Sequence, residues 1–237
     1  MKLSIVIPAY NEEERMAKAV EALNAFLPGL EPAPEIIVVD DGSTDRTTNI
    51  LSAAPARFAY QLISYRPNRG KGYALKQGIL RAAGDYVLFL DVDMSTPLTE
   101  FRNFREAIGR GVAVIIGSRK TAGSLILKSQ SPLRRKLGEG FSFLSRVFLA
   151  PGISDFTCGF KVFRRDAAQR IFKAQRIARW AYDTEVLFLA RRFGYAIEEV
   201  PVSWENDERT KVHLVRDVVR SFSDLLRIKI NALLGKY

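Results

Sequence analysis

The chain has 237 residues, 47% hydrophobic and 26% charged, the make-up of an ordinary globular protein long enough for one large domain or two small ones. Cys158 and His213 are the only residues of their kinds, which excludes an intramolecular disulfide and a multi-cysteine zinc site and leaves one histidine for any imidazole chemistry. With 36 Lys and Arg against 26 Asp and Glu, the net charge of +10 points to an anionic partner: nucleic acid, a phosphorylated substrate or an anionic lipid surface.

Residues 3–7, 35–39, 58–65, 86–90 and 112–116 are short, mostly apolar runs that predict strands, and residues 12–26, 45–53, 72–83 and 98–108 between them predict helices. Such alternation predicts an α/β fold, a mostly parallel sheet flanked by helices on both faces. The second half is less regular. Residues 117–132, rich in Gly, Ser and basic side chains, read as a long mobile loop; 133–149 and 182–192 read as helices; 154–164 read as a turn and a short strand, and 196–202 as a strand. Residues 214–234 repeat Leu214, Val218, Phe222, Leu225, Leu226 and Leu233 at helical spacing, with Arg216, Arg220 and Arg227 between them, and predict a C-terminal amphipathic helix. The opening run lacks the order of charged region, apolar core and cleavage site of a signal peptide, and no apolar stretch reaches the roughly 18 residues a membrane span requires. The expected location is cytoplasmic.

Ligands of parallel sheets bind beyond the carboxyl ends of the strands. Three polar turns fall at that edge: PAYNE at 8–12, DDGST at 40–44 and DVD at 91–93. Asp91 and Asp93, flanking Val92, are one residue apart, and in an extended segment they would share a face with backbones about 7 Å apart. Such a pair suits one hydrated divalent ion; oxygen-only ligands favour Mg2+ or Mn2+, completed by substrate phosphates. The competing reading has Asp91 capping a turn and Asp93 solvated. Asp40 and Asp41, before Gly42, can accept from a base N–H or a ribose hydroxyl, or form an Asx-turn with Ser43 or Asp45 capping the next helix. Tyr10 offers a ring for a base, with Pro8 and Ala9 beneath it and Glu12 beyond, or simply packs. In NRGKG at 68–72 the phosphate-loop spacing is absent, but a glycine-flanked Lys71 at a helix start can sit near phosphate.

Taken in order, IVIPAYNEEE at 5–14, IIVVDDGSTDRT at 36–47, NRGKGYALKQG at 68–78, GDYVLFLDVD at 84–93 and GSRK at 117–120 resemble glycosyltransferase family 2, whose inverting members have the GT-A fold and use nucleotide sugars. DFTCGFKVFRRDAA at 155–168, RWAYDTEVLFLA at 179–190 and IEEVPVSW at 197–204 are similar to its polyprenyl-phosphate glycosyltransferases, most of all those that make dolichyl-phosphate glucose. The resemblance implies a GT-A domain over residues 1–211, with a nucleotide-binding half at 1–95 and an acceptor half at 96–211, and the amphipathic helix at 212–237. It implies nucleotide-sugar contacts at Pro8, Ala9, Tyr10, Glu12, Asp40 or Asp41, Lys71, Asp91, Val92 and Asp93. It implies a divalent metal, Mg2+ or Mn2+, on Asp91 and Asp93, and Asp155 near the reacting centre. Phosphate or acceptor contacts fall on Arg119 and on Arg209 or Lys211, where ERTK replaces the usual glycine and serine.

The implied reaction moves glucose from UDP-glucose, or mannose from GDP-mannose, to a polyprenyl phosphate at the cytosolic face of a membrane. Lys128, Arg134, Arg135 and Lys136 beside Phe141, Phe143, Leu144 and Phe148, and the C-terminal helix, fit an interfacial position. Core packing or a homodimer would use the same faces. A nucleic-acid partner is disfavoured, because the strand ends are acidic where a phosphate backbone would approach. A sugar nucleotidyltransferase would need a glycine-rich signature where PAYNEEE stands, and a non-catalytic scaffold would not need both aspartates.

Overall fold

The computed structural model describes residues 1–207 and 214–237, the side chains of 214–219 excepted. The first half alternates as expected: β1 (Leu3–Ala9), α1 (Glu13–Phe26), β2 (Glu35–Asp40), α2 (Thr47–Ala53), β3 (Tyr60–Ser64), α3 (Lys71–Arg81), β4 (Tyr86–Leu90), α4 (Phe101–Gly109) and β5 (Val114–Ser118). The second half adds β6 (Leu125–Lys128), α5 (Pro132–Phe148), β7 (Phe160–Arg164), α6 (Arg165–Ala174), α7 (Tyr182–Arg192), β8 (Ile197–Pro201), β9 (Ser203–Glu205) and α8 (Leu214–Leu233).

Among the described residues the main sheet has the order β3-β2-β1-β4-β7-β5-β8, and β7 alone runs antiparallel to its neighbours. Its central strands β1, β2, β4, β7 and β5 are buried on both sides because both faces are covered. Ile5 and Ile7 of β1 face one core with Met16, Val20 and Phe104, while Val6 between them faces the other with Leu75, Ile79, Phe172 and Val186. The period of two thus sorts each strand into two cores, one beneath α1 and α4, the other beneath α3, α6 and α7. The segment just before β7 joins the three polar turns at one edge because β7 is reversed. Leu90 pairs with Phe160 and Ile116 with Lys161, so the residues just before β7 lie where β4 and β5 end.

Two readings of the second half are corrected. Residues 117–132 are not one loop: β6 lies within them and pairs in parallel with β9, forming a second, two-stranded sheet. The strand expected at 196–202 is present as β8, and the short β9 follows it after Val202. Helix α6, for which no helix was expected, buries Ala167, Ala168, Ile171 and Phe172, an amphipathic repeat of only ten residues. The amphipathic C-terminal helix is present as α8; it packs Leu225 and Ile228 with Phe141 of α5 and leaves Leu226, Ile230 and Leu233 exposed. Among the described residues no helix is long and apolar enough to cross a membrane.

Candidate active site

A cleft of about 620 Å³ opens at this edge. Pro8, Ala9, Tyr10, Glu12, Asp41, Lys71, Asp91, Val92, Asp93 and Arg119 all line it, so ten of the residues singled out from sequence are gathered in one place. Asp40 and Asp155 do not line it, and Arg209 and Lys211 lie outside the described residues.

The two candidate aspartates after β2 divide their work. Asp40 is buried and accepts the Ser43 N–H at 3.0 Å and the Ser64 hydroxyl at 2.8 Å. Asp41 accepts from Asn68 Nδ2 at 2.7 Å and from the N–H groups of Arg69 and Gly70, each at 2.8 Å, tying the end of β2 to the start of α3. Gly70 has φ +105°, and a β-carbon there would fall 2.5 Å from the Ala178 carbonyl, so only glycine lets the chain turn into α3. Lys71, the first residue of that helix, is thereby set against Asp91, its Nζ 2.5 Å from Oδ1.

Asp91 and Asp93 reach the cleft by a route other than the expected extended strand. The Met94 N–H donates to the Asp91 carbonyl at 3.1 Å, and Met94 has φ +52°, so residues 91–94 form a turn. Asp93 also accepts the Ser95 N–H at 2.9 Å. Burial, and then the nearby Asp91, raise the Asp93 carboxyl above the ordinary range. For Lys71, burial works against the charge, but Asp91, Asp183 and Asp93 overcome it and hold the ammonium above an ordinary lysine. The Asp91 carboxylate lies in a cradle: a β-carbon on Gly159 would be 2.1 Å from its Oδ2. Two carboxylates facing a shared opening, with no third His, Cys, Asp or Glu grouped with them among the described residues, suit a hard divalent cation completed by phosphate and water.

Arg119, which also lines the cleft, is held by Asp155. Its Nε and backbone N–H donate to Asp155 Oδ2 at 2.7 and 3.0 Å, Nη2 donates to Oδ1 at 2.8 Å, and the guanidinium lies 5.1 Å from the centre of the Trp204 ring. Asp155 is fully buried. Burial alone would raise its carboxyl, but Arg119 outweighs it and holds the group well below the usual carboxylate range. Asp155, expected near the reacting centre, thus turns both carboxylate oxygens onto Arg119, and it is Arg119 that lines the cleft. Sequence reasoning passed over Asp183. This carboxylate lines the cleft at the start of α7 and is paired with Lys161, a fully buried lysine that also donates to the Cys158 carbonyl at 2.8 Å. The run RWAYD at 179–183 was its signal, and Arg179 and Trp180 line the cleft beside it.

Residues 4–172 match the profile of glycosyl transferase family 2. The chain belongs to that family. As a member of glycosyl transferase family 2 it is 33% identical over 246 residues to the dolichyl-phosphate beta-glucosyltransferase of Dictyostelium discoideum, covering 98% of this chain and 75% of that protein. To the enzymes of the same name from Saccharomyces cerevisiae and Homo sapiens the identities are 35% and 31%, covering 99% and 100% of this chain and 76% and 77% of theirs. Mannosyl-3-phosphoglycerate synthase from Rubrobacter xylanophilus shares the fold at TM-score 0.73 and 18% identity, covering all of this chain and 75% of that one. Glucosyl-3-phosphoglycerate synthase from Mycobacterium tuberculosis does so at TM-score 0.68 and 23% identity, covering 96% and 80%; the same enzyme has been solved with Mn2+ and UDP. The expected GT-A fold and glycosyltransferase class are thus borne out.

The Gly159 cradle yields a test of the cleft. Gly159→Ala must push the Asp91 carboxylate aside, and a displacement of about 1 Å at a reacting centre costs on the order of 10²-fold in rate. Glycosyl transfer should fall by about that factor with circular dichroism unchanged.

Proposed function

We propose that the chain transfers glucose, with inversion, from UDP-glucose to a dolichyl or other polyprenyl phosphate, while resting on the cytosolic face of a membrane. The observation that carries this reading is one cleft lined both by an acidic pair and by several arginines, in a family member 31–35% identical over nearly its whole length to dolichyl-phosphate beta-glucosyltransferases. Residues 1–95 supply the nucleotide side. The nucleoside lies along Pro8, Ala9, Tyr10, Glu12 and Asp41, and Lys71 faces the diphosphate.

Asp91 and Asp93 would hold Mg2+ or Mn2+, which when bound offsets charge on the departing diphosphate. The acceptor phosphate has its second pKa near 6, so its oxygen is already ionised at pH 7 and needs no strong base. That oxygen bonds to the anomeric carbon as the bond from this carbon to the nucleoside diphosphate breaks, and the leaving group takes the electron pair. Arg119, fixed by Asp155, together with Arg134 of α5 and Arg220 of α8, receives the acceptor phosphate; all three line the cleft. Asp183 offers its carboxylate to a sugar hydroxyl.

The net charge of +10 then has a use, since both substrates are phosphorylated. Phe143, Val147 and Phe148 on α5 and Leu226, Ile230 and Leu233 on α8 are exposed, with Arg146, Arg227 and Lys229 among them. An apolar stripe set among cations suits an anionic lipid surface. The deciding experiment offers radiolabelled UDP-glucose and GDP-mannose, each with Mn2+, to a short polyprenyl phosphate in phosphatidylserine vesicles. Glucose-labelled lipid is expected; label from neither donor, or from GDP-mannose alone, overturns the reading.

A further inference from the structure

Glu185, in the first turn of α7, is fully buried, yet the chemistry proposed above makes no use of it. A carboxylate withdrawn from water is costly unless donors fill its oxygens. The donors here are neutral: the Arg176 N–H at 3.1 and 3.0 Å from the two oxygens, the Ile177 N–H at 2.7 Å and the Tyr237 hydroxyl at 2.6 Å. Burial raises the Glu185 carboxyl, and these hydrogen bonds oppose the shift. Each donor is needed to keep the buried charge satisfied, so together they fix the geometry around it.

The donors come from two segments that each lead to the cleft. Residues 175–181 carry Arg179 and Trp180 into it, and within this segment the Ala178 carbonyl accepts the Tyr73 N–H of α3 at 3.0 Å. Gln175 Nε2 donates to the carbonyls of Gly72 at 3.0 Å and Ile177 at 2.8 Å. The segment is therefore packed on the helix start that presents Lys71. Residues 236 and 237 follow α8, which contributes Arg220, Ser221 and Phe222 to the same cleft. The Lys236 carbonyl accepts from Arg176 Nε at 2.9 Å, and the Tyr237 ring meets Phe188 with centroids 6.1 Å apart. One carboxylate thus ties the loop that carries Arg179 and Trp180 to the segment that follows α8.

We propose that Glu185 is a positioning residue that latches the segment after α8 to the Arg179–Trp180 loop, so that the two walls of the cleft set together. The proposal rests on the function above only in its kinetic arm. Tyr237→Phe keeps the ring against Phe188 and deletes one hydroxyl. Losing a hydrogen bond to a charged group should speed hydrogen–deuterium exchange at Arg176 and Ile177 by about tenfold, although neither amide bonds Tyr237. KM for UDP-glucose should rise several-fold with kcat within about twofold, the pattern of weakened ground-state placement. Glu185→Gln should loosen residues 175–181 and 231–237 alike. Faster exchange confined to 231–237 in Tyr237→Phe, or to 175–181 in Glu185→Gln, overturns the latch, as does a fall in kcat at unchanged KM. If Glu185→Gln does not fold, Tyr237→Phe decides alone. Exchange is read without substrate, so unchanged exchange counts against the latch, whereas absence of transfer by the unaltered chain counts against the function.

Discussion

Asp93→Ala is expected to lower glucosyl transfer by roughly 10³-fold, the scale on which removing one preorganised electrostatic partner of a transition state acts. Folding should survive. Asp93 stands beside Asp91 and its carboxyl is raised by burial and by that neighbour, so its removal relieves a like-charge pair. Against that relief stand the attraction of Lys71 and the hydrogen bonding of Ser95, whose N–H donates to Asp93 in a cap-like interaction of about 1 kcal/mol. Loss of activity with an intact thermal transition would therefore report chemistry. Mn2+ binding in the presence of UDP, read by electron paramagnetic resonance, should weaken in parallel. Near-normal turnover of Asp93→Ala with added metal would remove the acidic pair from the mechanism.

The strands of the first half were legible because their apolar runs are bounded by turn residues and alternate with helical patterns, and the sheet edge followed from that order. Asp91 and Asp93 were found as residues but placed by the wrong geometry: a turn over 91–94, enabled by Met94 at positive φ, has no period to betray it. Asp183, Arg179 and Trp180 stayed hidden for another reason. They depend on the packing of residues 175–181 against Gly70 and Gly72, an approach across about a hundred positions that no local pattern encodes. The division between Asp40 and Asp41 is of the same kind, decided by Ser64 on β3 and by Asn68 before α3. β6 went unread because LILK is exposed throughout and pairs only with a short strand far along the chain.

Asp155→Asn is expected to destabilise the fold by about 3–5 kcal/mol, because breaking a buried ion pair leaves the Arg119 charge without its counter-ion. Arg119 keeps its bond to Thr157 Oγ1 at 2.8 Å and its stacking on Trp204, so the guanidinium should remain in the cleft but lose its fixed angle. Transfer should then fall by about 10²-fold, and the double variant Asp155→Asn, Arg119→Ala should be little slower than Arg119→Ala alone, since the carboxylate works through the arginine. The pH dependence separates this role from that of a base. The Asp155 carboxyl lies well below the usual range in the folded chain and near 3.9, by ordinary reference, in the unfolded one. The stability it confers is thus fully present above about pH 4 and is lost as pH falls further through the folded value. Urea unfolding should show a constant gap between wild type and Asp155→Asn from neutral pH down to about 5, shrinking below 4. The profile of kcat/KM should carry the same acidic limb in both proteins; a limb near pH 6 present in wild type and missing from the variant would make Asp155 a titrating base after all.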